Sequence, residues 1–142
     1  MILPISLTAA AVAAFINLWL SIRVGQVRTS EKVSIGDGGN EKVIRRMRAH
    51  ANFAEFTPII LILIALLELA TGTSTWLWAV MVLYMLARIA HALGMDGLSG
   101  ARPIGIMATL LIMLGLGGYA IYVAHSSDGK INAPAAEVVP AG

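Results

Sequence analysis

A short stretch with an arginine, an amide and a carboxylate opens a long apolar segment of this chain. The stretch reads RAHANFAEFTP over residues 48–58 and contains Arg48, His50, Asn52 and Glu55. In a helix with about 3.6 residues per turn, Asn52 and Glu55 lie within about 40° of Arg48. A guanidinium binds carboxylates, a carboxylate accepts from an amine, and an amide both donates and accepts. These side chains are therefore expected to be satisfied by one another and by a polar ligand.

A second polar face is predicted further along the chain. Tyr84 and His91 fall within about 60° of Arg88 on a helix, and Arg102 opens the last apolar segment. A charge within a membrane span costs about 2.5–3.5 kcal/mol on insertion scales and usually faces the interior of the bundle. Together the two faces predict a polar pocket near one side of the membrane.

A purely structural role for the same residues is the alternative. Arg48–Glu55 and Arg88–Glu55 ion pairs would then only fix the bundle, and His91 would be a core histidine. A metal site is not expected, because His50 and His91 lack the spacing of metal ligands.

Composition places the chain in a membrane. It has 142 residues, of which 58% are hydrophobic and 13% charged, with a mean hydropathy of +0.80. A soluble domain has about 25% charged residues. The net charge of +2 is too small and too clustered to indicate nucleic-acid binding. Because the chain has no cysteine, any thiol chemistry must use a thiol from outside.

Four apolar segments are long enough to be membrane helices, which need about 20 residues each. The sequence thus predicts an all-α integral membrane protein, a four-transmembrane-helix bundle. The predicted spans cover about residues 1–22, 43–70, 75–95 and 103–124, and residues 125–142 form a polar tail expected to be disordered. Asn40 is a predicted N-cap for the second helix. Glu68 is expected to reach the interface at the far end of that helix.

Positive charge predicts the orientation in the membrane. The second turn between spans has no Lys or Arg, and the third loop has Arg102. The first loop region has seven: Arg23, Arg28, Lys32, Lys42, Arg45, Arg46 and Arg48. The positive-inside rule then places loops one and three in the cytoplasm and both termini outside.

The stretch RAHANFAEFTP resembles the R-A-x-x-N-x-x-E-x-x-P signature of the MAPEG family, the membrane-associated proteins of eicosanoid and glutathione metabolism. The likeness extends over nearly the whole chain, through its length, its four spans, its basic first loop and ARIAHALG in span three. RIAH is similar to the prostaglandin E synthase branch and to small bacterial members. The resemblance implies a homotrimer that binds glutathione between neighbouring protomers.

The resemblance also implies roles for individual residues. Arg102 matches the arginine proposed to activate the thiol, which implies a glutathione-dependent transferase or peroxidase acting on lipophilic electrophiles or hydroperoxides from the bilayer. Two family tyrosine positions hold Phe56 and Met95 here, so their hydroxyl contacts are missing. The family's glutathione-contacting positions fall on Arg28, Arg48, Asn52, Glu55, Arg88 and His91.

Two other functions remain open on the sequence. The first is a non-catalytic membrane scaffold of the same fold that binds lipid or glutathione, since a fold does not guarantee turnover. The second is a small multidrug exporter with four spans. That class depends on a carboxylate in the first span, where this chain has only Asn17 as a polar interior residue.

Overall fold

The protein is all-helical over residues 2–126, the part of the chain that the computed structural model describes. The helices are α1 Pro4–Ser30, α2 Glu41–Thr71, α3 Thr75–Met95 and α4 Ala101–Ser126. The four predicted helices are thereby confirmed. Helix α1 ends eight residues beyond the predicted limit of residue 22, and α4 includes the first two residues of the predicted tail. The rest of that tail lies outside the described residues.

All four helices are long and apolar enough to cross a membrane. At about 1.5 Å per residue, the 27 residues of α1 reach about 40 Å, more than the hydrocarbon core. The polar last turns of α1 and first turns of α2 therefore extend beyond the apolar slab. The chain is a multi-pass integral membrane protein.

Hydrogen bonds fix the junction between α1 and α2. The Asn40 side chain accepts from the backbone nitrogens of Lys42 at 2.9 Å and Val43 at 3.4 Å, which confirms the predicted N-cap. Glu31, just after α1, accepts from Lys42 Nζ and from Asn40 Nδ2, both at 2.8 Å. These two hydrogen bonds hold the pKa of the Glu31 carboxyl below its usual value, and the bond from Lys42 has the larger effect. The long first loop is thus tied at both ends.

Helices α2 and α3 form the centre of the bundle. Each contacts all three other helices, whereas α1 and α4 lie on opposite sides and do not meet. A hydrophobic core packs around these two helices, and its most buried members include Leu20 of α1 and Ile60, Ile64, Leu67 and Leu77. The first and third loops lie at the same end of the bundle, as the predicted topology requires, because Arg23 and Arg46 both pair with Asp96.

Glu68 closes the opposite end of the bundle. Predicted to reach the interface at the far end of α2, Glu68 lies in the last turn of that helix, is 1% exposed and accepts hydrogen bonds at the first turn of α1. Its donors are the backbone nitrogens of Ile5 at 3.0 Å and Ser6 at 2.8 Å, the Ser6 hydroxyl at 2.6 Å and the Thr73 hydroxyl at 3.0 Å. Helix N-termini leave unpaired N–H groups and favour negative charge, so a carboxylate from α2 caps α1.

Candidate functional site

Helices α3 and α4 approach closely in one antiparallel register. Arg88 Nη1 donates to Thr109 Oγ1 at 3.0 Å. One turn on, a side chain at Gly105 would lie 2.6 Å from the Ala87 carbonyl oxygen and 2.8 Å from the His91 backbone nitrogen. A further turn on, a side chain at Gly94 would collide with the backbone of Arg102. Glycine at these two positions lets the backbones pack together, and this register places Arg88, His91 and Arg102 along one seam.

Arg88 is the centre of the buried polar cluster. It is 1% exposed, and its Nη2 donates to Asn52 Oδ1 on α2 at 2.6 Å and lies 3.5 Å from His91 Nδ1. Together with the Thr109 contact, these interactions join α2, α3 and α4 around one guanidinium. The structure thus brings together three of the residues predicted for the site: Asn52, Arg88 and His91. Tyr84, predicted on the same face, is also buried and shares a hydrogen bond of 2.8 Å with the Thr57 hydroxyl.

Arg88 has no anionic partner among the described residues. Every atom paired with it is neutral or belongs to His91, and its buried Nε has no hydrogen-bond partner. A buried charge without a counter-charge is costly, and such charges within membranes are usually paired. The cluster therefore carries an uncompensated positive charge inside an apolar bundle.

The outer face of α2 carries two further charges without partners. Arg48 and Glu55 are both exposed, and no described residue forms a hydrogen bond or ion pair with either side chain. The Arg48–Glu55 and Arg88–Glu55 ion pairs considered as a structural alternative are therefore wrong within the protomer. Of the polar residues predicted on this face of α2, Asn52 does contact Arg88; it lies between Arg48 and Glu55 along the helix, and its side chain reaches inward.

Arg28 occupies a separate groove, between α1 and α2. It lies in the last turn of α1, where its Nη2 contacts Met47 Sδ at 3.5 Å and its buried Nε has no partner. Together with His50, it lines a cavity of about 310 Å³. Within one protomer, Arg28 is thus not part of the cluster around Arg88.

Arg102 is exposed at the second position of α4, and its side chain has no hydrogen-bond partner among the described residues. Its backbone packs against Gly94, which lies one turn beyond His91 in α3. Its cationic head is therefore available to an incoming group beside the buried cluster.

Sequence reasoning missed two polar positions at the site. Thr109 is 1% exposed and binds Arg88, but a single threonine in an apolar helix gives little signal. Asp96 pairs with Arg23 and also accepts from Arg46 Nε at 3.3 Å. Its place in the turn sequence MDGLSG suggested only a loop residue. The signal that could have found it is that it is the only acid between the last two spans.

The fold and the site define a helical membrane protein with four spans and a polar cluster near the end that carries the first and third loops. Residues 6–122 match the model of the MAPEG family, and the chain belongs to that family. It is 30% identical over 91 residues to the inner membrane protein YecN of Escherichia coli K12, a match that covers 63% of this chain and 69% of that protein. The YecN protein of an Escherichia coli O6:H1 strain matches to the same extent.

Proposed function

We propose that the protein is a membrane-bound, glutathione-dependent transferase or peroxidase that acts on lipophilic electrophiles or hydroperoxides. The observation that carries this proposal is the buried Arg88 guanidinium, together with the exposed charges of Arg48, Glu55 and Arg102. None of these groups has an oppositely charged partner among the described residues. Family membership supports the choice of glutathione as the ligand. Such a set of unpaired groups is what a charged ligand would complete.

The chemistry of these residues fits glutathione, a tripeptide with two carboxylates and one amine. Arg48 can bind a carboxylate bidentately, and Glu55 can accept from the amine. Asn52 uses its oxygen for Arg88, so its amide nitrogen remains free to donate. The positive charge at Arg88 favours an anionic ligand near the cluster.

When bound, glutathione supplies the sulfur nucleophile. A cysteine thiol has a pKa of about 8.5, so only a few per cent is ionised at pH 7. A neighbouring guanidinium favours the ionised form, and lowering the pKa by about two units requires about 2.7 kcal/mol. Arg102, whose side chain has no partner within residues 2–126, supplies that charge in our proposal. The lipophilic substrate arrives from the bilayer.

We further propose that the site is completed in a homotrimer. The face of α2 that carries Arg48 and Glu55 continues into exposed apolar side chains at Ile59, Ile62 and Leu66. Charges on that face are costly against lipid but acceptable against a second copy that brings its own polar groups. Arg28, on a different groove, then serves the site of a neighbouring protomer, as the family resemblance implies.

Binding and turnover are tested on the detergent-purified protein. Titration calorimetry with glutathione measures the affinity, native mass spectrometry gives the oligomer, and a conjugation assay gives the rate. Arg48→Ala is expected to weaken binding tenfold or more, because a charged hydrogen bond contributes about 1.5–3 kcal/mol. Arg45→Ala is the matched control, since Arg45 is exposed on the same helix but is paired with Glu41 at 3.0 Å. No measurable glutathione binding by the wild type would refute the proposal.

A non-catalytic scaffold that binds glutathione or lipid is the second candidate. The observation in its favour is the absence of hydroxyl groups at Phe56 and Met95. Met95 lines a loop-end cavity of about 400 Å³ with Asp96 and Arg46, and there it presents a thioether where a tyrosine would present a hydroxyl. Binding of glutathione without any conjugation or peroxide reduction would favour this candidate.

For the location, we propose a bacterial inner membrane with loops one and three in the cytoplasm. The support is the loop charge distribution and the inner-membrane location named for the YecN relatives. Because the chain lacks cysteine, single cysteines introduced at Ser34 and Ser126 can be labelled without background. Labelling from opposite sides is expected, and labelling of both from one side would reverse the conclusion.

A further inference from the structure

Asp96 joins three helices at the loop end of the bundle. It lies in the turn between α3 and α4 and pairs with Arg23 of α1 and with Arg46 of α2. Arg46 Nη1 also donates to the Arg23 carbonyl oxygen at 3.1 Å. Arg23 is buried, and its guanidinium carbon lies 4.5 Å from the centre of the Trp19 ring. We refer to Arg23, Arg46 and Asp96 as the Asp96 clamp.

The turn that the clamp holds is the one that leads into Arg102. Only five residues separate Met95 from Ala101, and backbone hydrogen bonds tighten the segment, including Leu98 N to Leu93 O at 3.2 Å. Gly94 at the end of α3 packs directly against the backbone of Arg102. A displacement of Asp96 would therefore be transmitted to Arg102 over a short and compact segment.

Arg102 has no other anchor of its own. Its side chain is exposed and has no hydrogen-bond partner in the described residues, so its location depends on its backbone. The seam with α3 fixes that backbone relative to His91, and the bond from Arg88 to Asn52 joins α3 to the middle of α2; at the loop end, it is Asp96 that contacts α1 and α2. Those two helices carry Arg28 and Arg48. The Asp96 clamp provides a direct polar link between them and the turn.

We infer that Asp96 is a positioning residue that sets where Arg102 stands relative to the glutathione-binding face of α2. This inference rests on the proposed function, because it assigns Asp96 a role in the step that Arg102 performs. Asp96 itself touches no proposed ligand group. A displacement of about 1 Å in a reacting constellation can cost as much as 100-fold in rate, which is large enough to measure.

The test replaces Asp96 by asparagine in the full-length chain. For Asp96→Asn we expect kcat of glutathione conjugation to fall about tenfold, with KM for glutathione within about twofold of the wild type. Arg46→Gln removes the ion pair between Arg46 and Asp96 but keeps the pair with Arg23, so a smaller loss of kcat, about threefold, is expected. Combining Asp96→Asn with Arg102→Ala should cost no more than Arg102→Ala alone, because the first acts through the second.

A readout independent of turnover is provided by a nitroxide attached to a cysteine at Ser99, in the same turn. Asp96→Asn is expected to increase its mobility. Glu41→Gln is the matched control, because it removes only the exposed pair with Arg45 at the same end and should change neither mobility nor rate.

The outcomes separate the inference from the function on which it rests. An unchanged nitroxide mobility in Asp96→Asn would overturn the inference, whether or not the protein is an enzyme. A lower unfolding temperature with unchanged kcat per folded protomer would also overturn it, since a purely structural clamp predicts that result. A wild type that binds glutathione but shows no turnover would overturn the proposed function and the role of Arg102, even if the nitroxide showed that Asp96 orders the turn.

Discussion

Replacing Glu68 is expected to detach the start of α1 from the rest of the bundle. The carboxylate is 1% exposed and accepts four hydrogen bonds, from Ile5, Ser6 and Thr73. In Glu68→Ala, the backbone nitrogens of Ile5 and Ser6 lose their acceptors in an apolar setting. Loss of an N-cap costs about 0.5–2 kcal/mol, and an unsatisfied buried donor costs about 1–3 kcal/mol. We expect the free energy of unfolding to fall by about 3–5 kcal/mol in total.

Smaller changes at the same cap give a graded series. Glu68→Gln keeps one acceptor oxygen but turns an amide NH₂ toward donors, so about half of the loss is expected. Thr73→Ala removes only the 3.0 Å hydrogen bond to the carboxylate and should cost about 1–2 kcal/mol. Thermal unfolding in detergent, followed by helical circular dichroism, measures the series. A cysteine at Leu3 reports the local opening through its rate of alkylation.

The control for this series is Glu41→Gln, at an exposed glutamate near the other end of α2. It should leave the unfolding temperature within about 1 °C, because an exposed ion pair contributes little. If Glu68→Ala matched this control in unfolding temperature and in alkylation at Leu3, the assignment of Glu68 as the cap of α1 would be wrong.

Three further predictions concern the site and its supports. Arg102→Ala should keep glutathione affinity within about threefold, but a return of the pKa of the bound thiol from about 6.5 to 8.5 would lower its ionised fraction at pH 7 by about 25-fold. Thiolate absorbance measures this fraction, and an unchanged value would remove Arg102 from the mechanism. Gly105→Ala should destabilise by about 1–3 kcal/mol, because the new methyl meets the α3 backbone, whereas Gly117→Ala, with open space around it, should not; equal unfolding temperatures would contradict the close packing. Because the pKa of Glu31 is lowered, its bond to Lys42 stabilises the fold above about pH 4.5, and this stabilisation is lost as the pH falls below that value. Glu31→Gln should therefore lose less stability than the wild type on acidification, and an identical dependence of the unfolding temperature on pH would exclude the contribution.

The sequence predicted the helices well because each signal was local. Apolar length identified the spans, and Asn40 was recognisable as a cap from its residue type and position. The end of α1 was less predictable, because the residues after Ile22 are polar but remain helical beyond the apolar segment. Apolar length alone therefore marks where the chain leaves the membrane and not where the helix ends.

The site was predicted less completely because its contacts are between helices. Residue spacing predicted which helical faces carry Asn52, Arg88 and His91, but it did not indicate which partner each would find. Glu55 was expected inside the bundle, yet it lies on the outer face of α2. Helical periodicity shows which residues share a face, whereas the direction of that face depends on how neighbouring helices pack.

The glycine contacts along α3 and α4 have a mechanical consequence. Two helices whose backbones touch cannot slide gradually, and a change of register requires a jump of about one turn, or 5.4 Å. Such a jump would break the bond between Arg88 and Thr109 and drive α4 side chains into His91 at the place that Gly105 now occupies. The α3–α4 pair is therefore expected to move as one rigid body. Any opening that admits a substrate from the bilayer must then come from α1 and α2 shifting against that body.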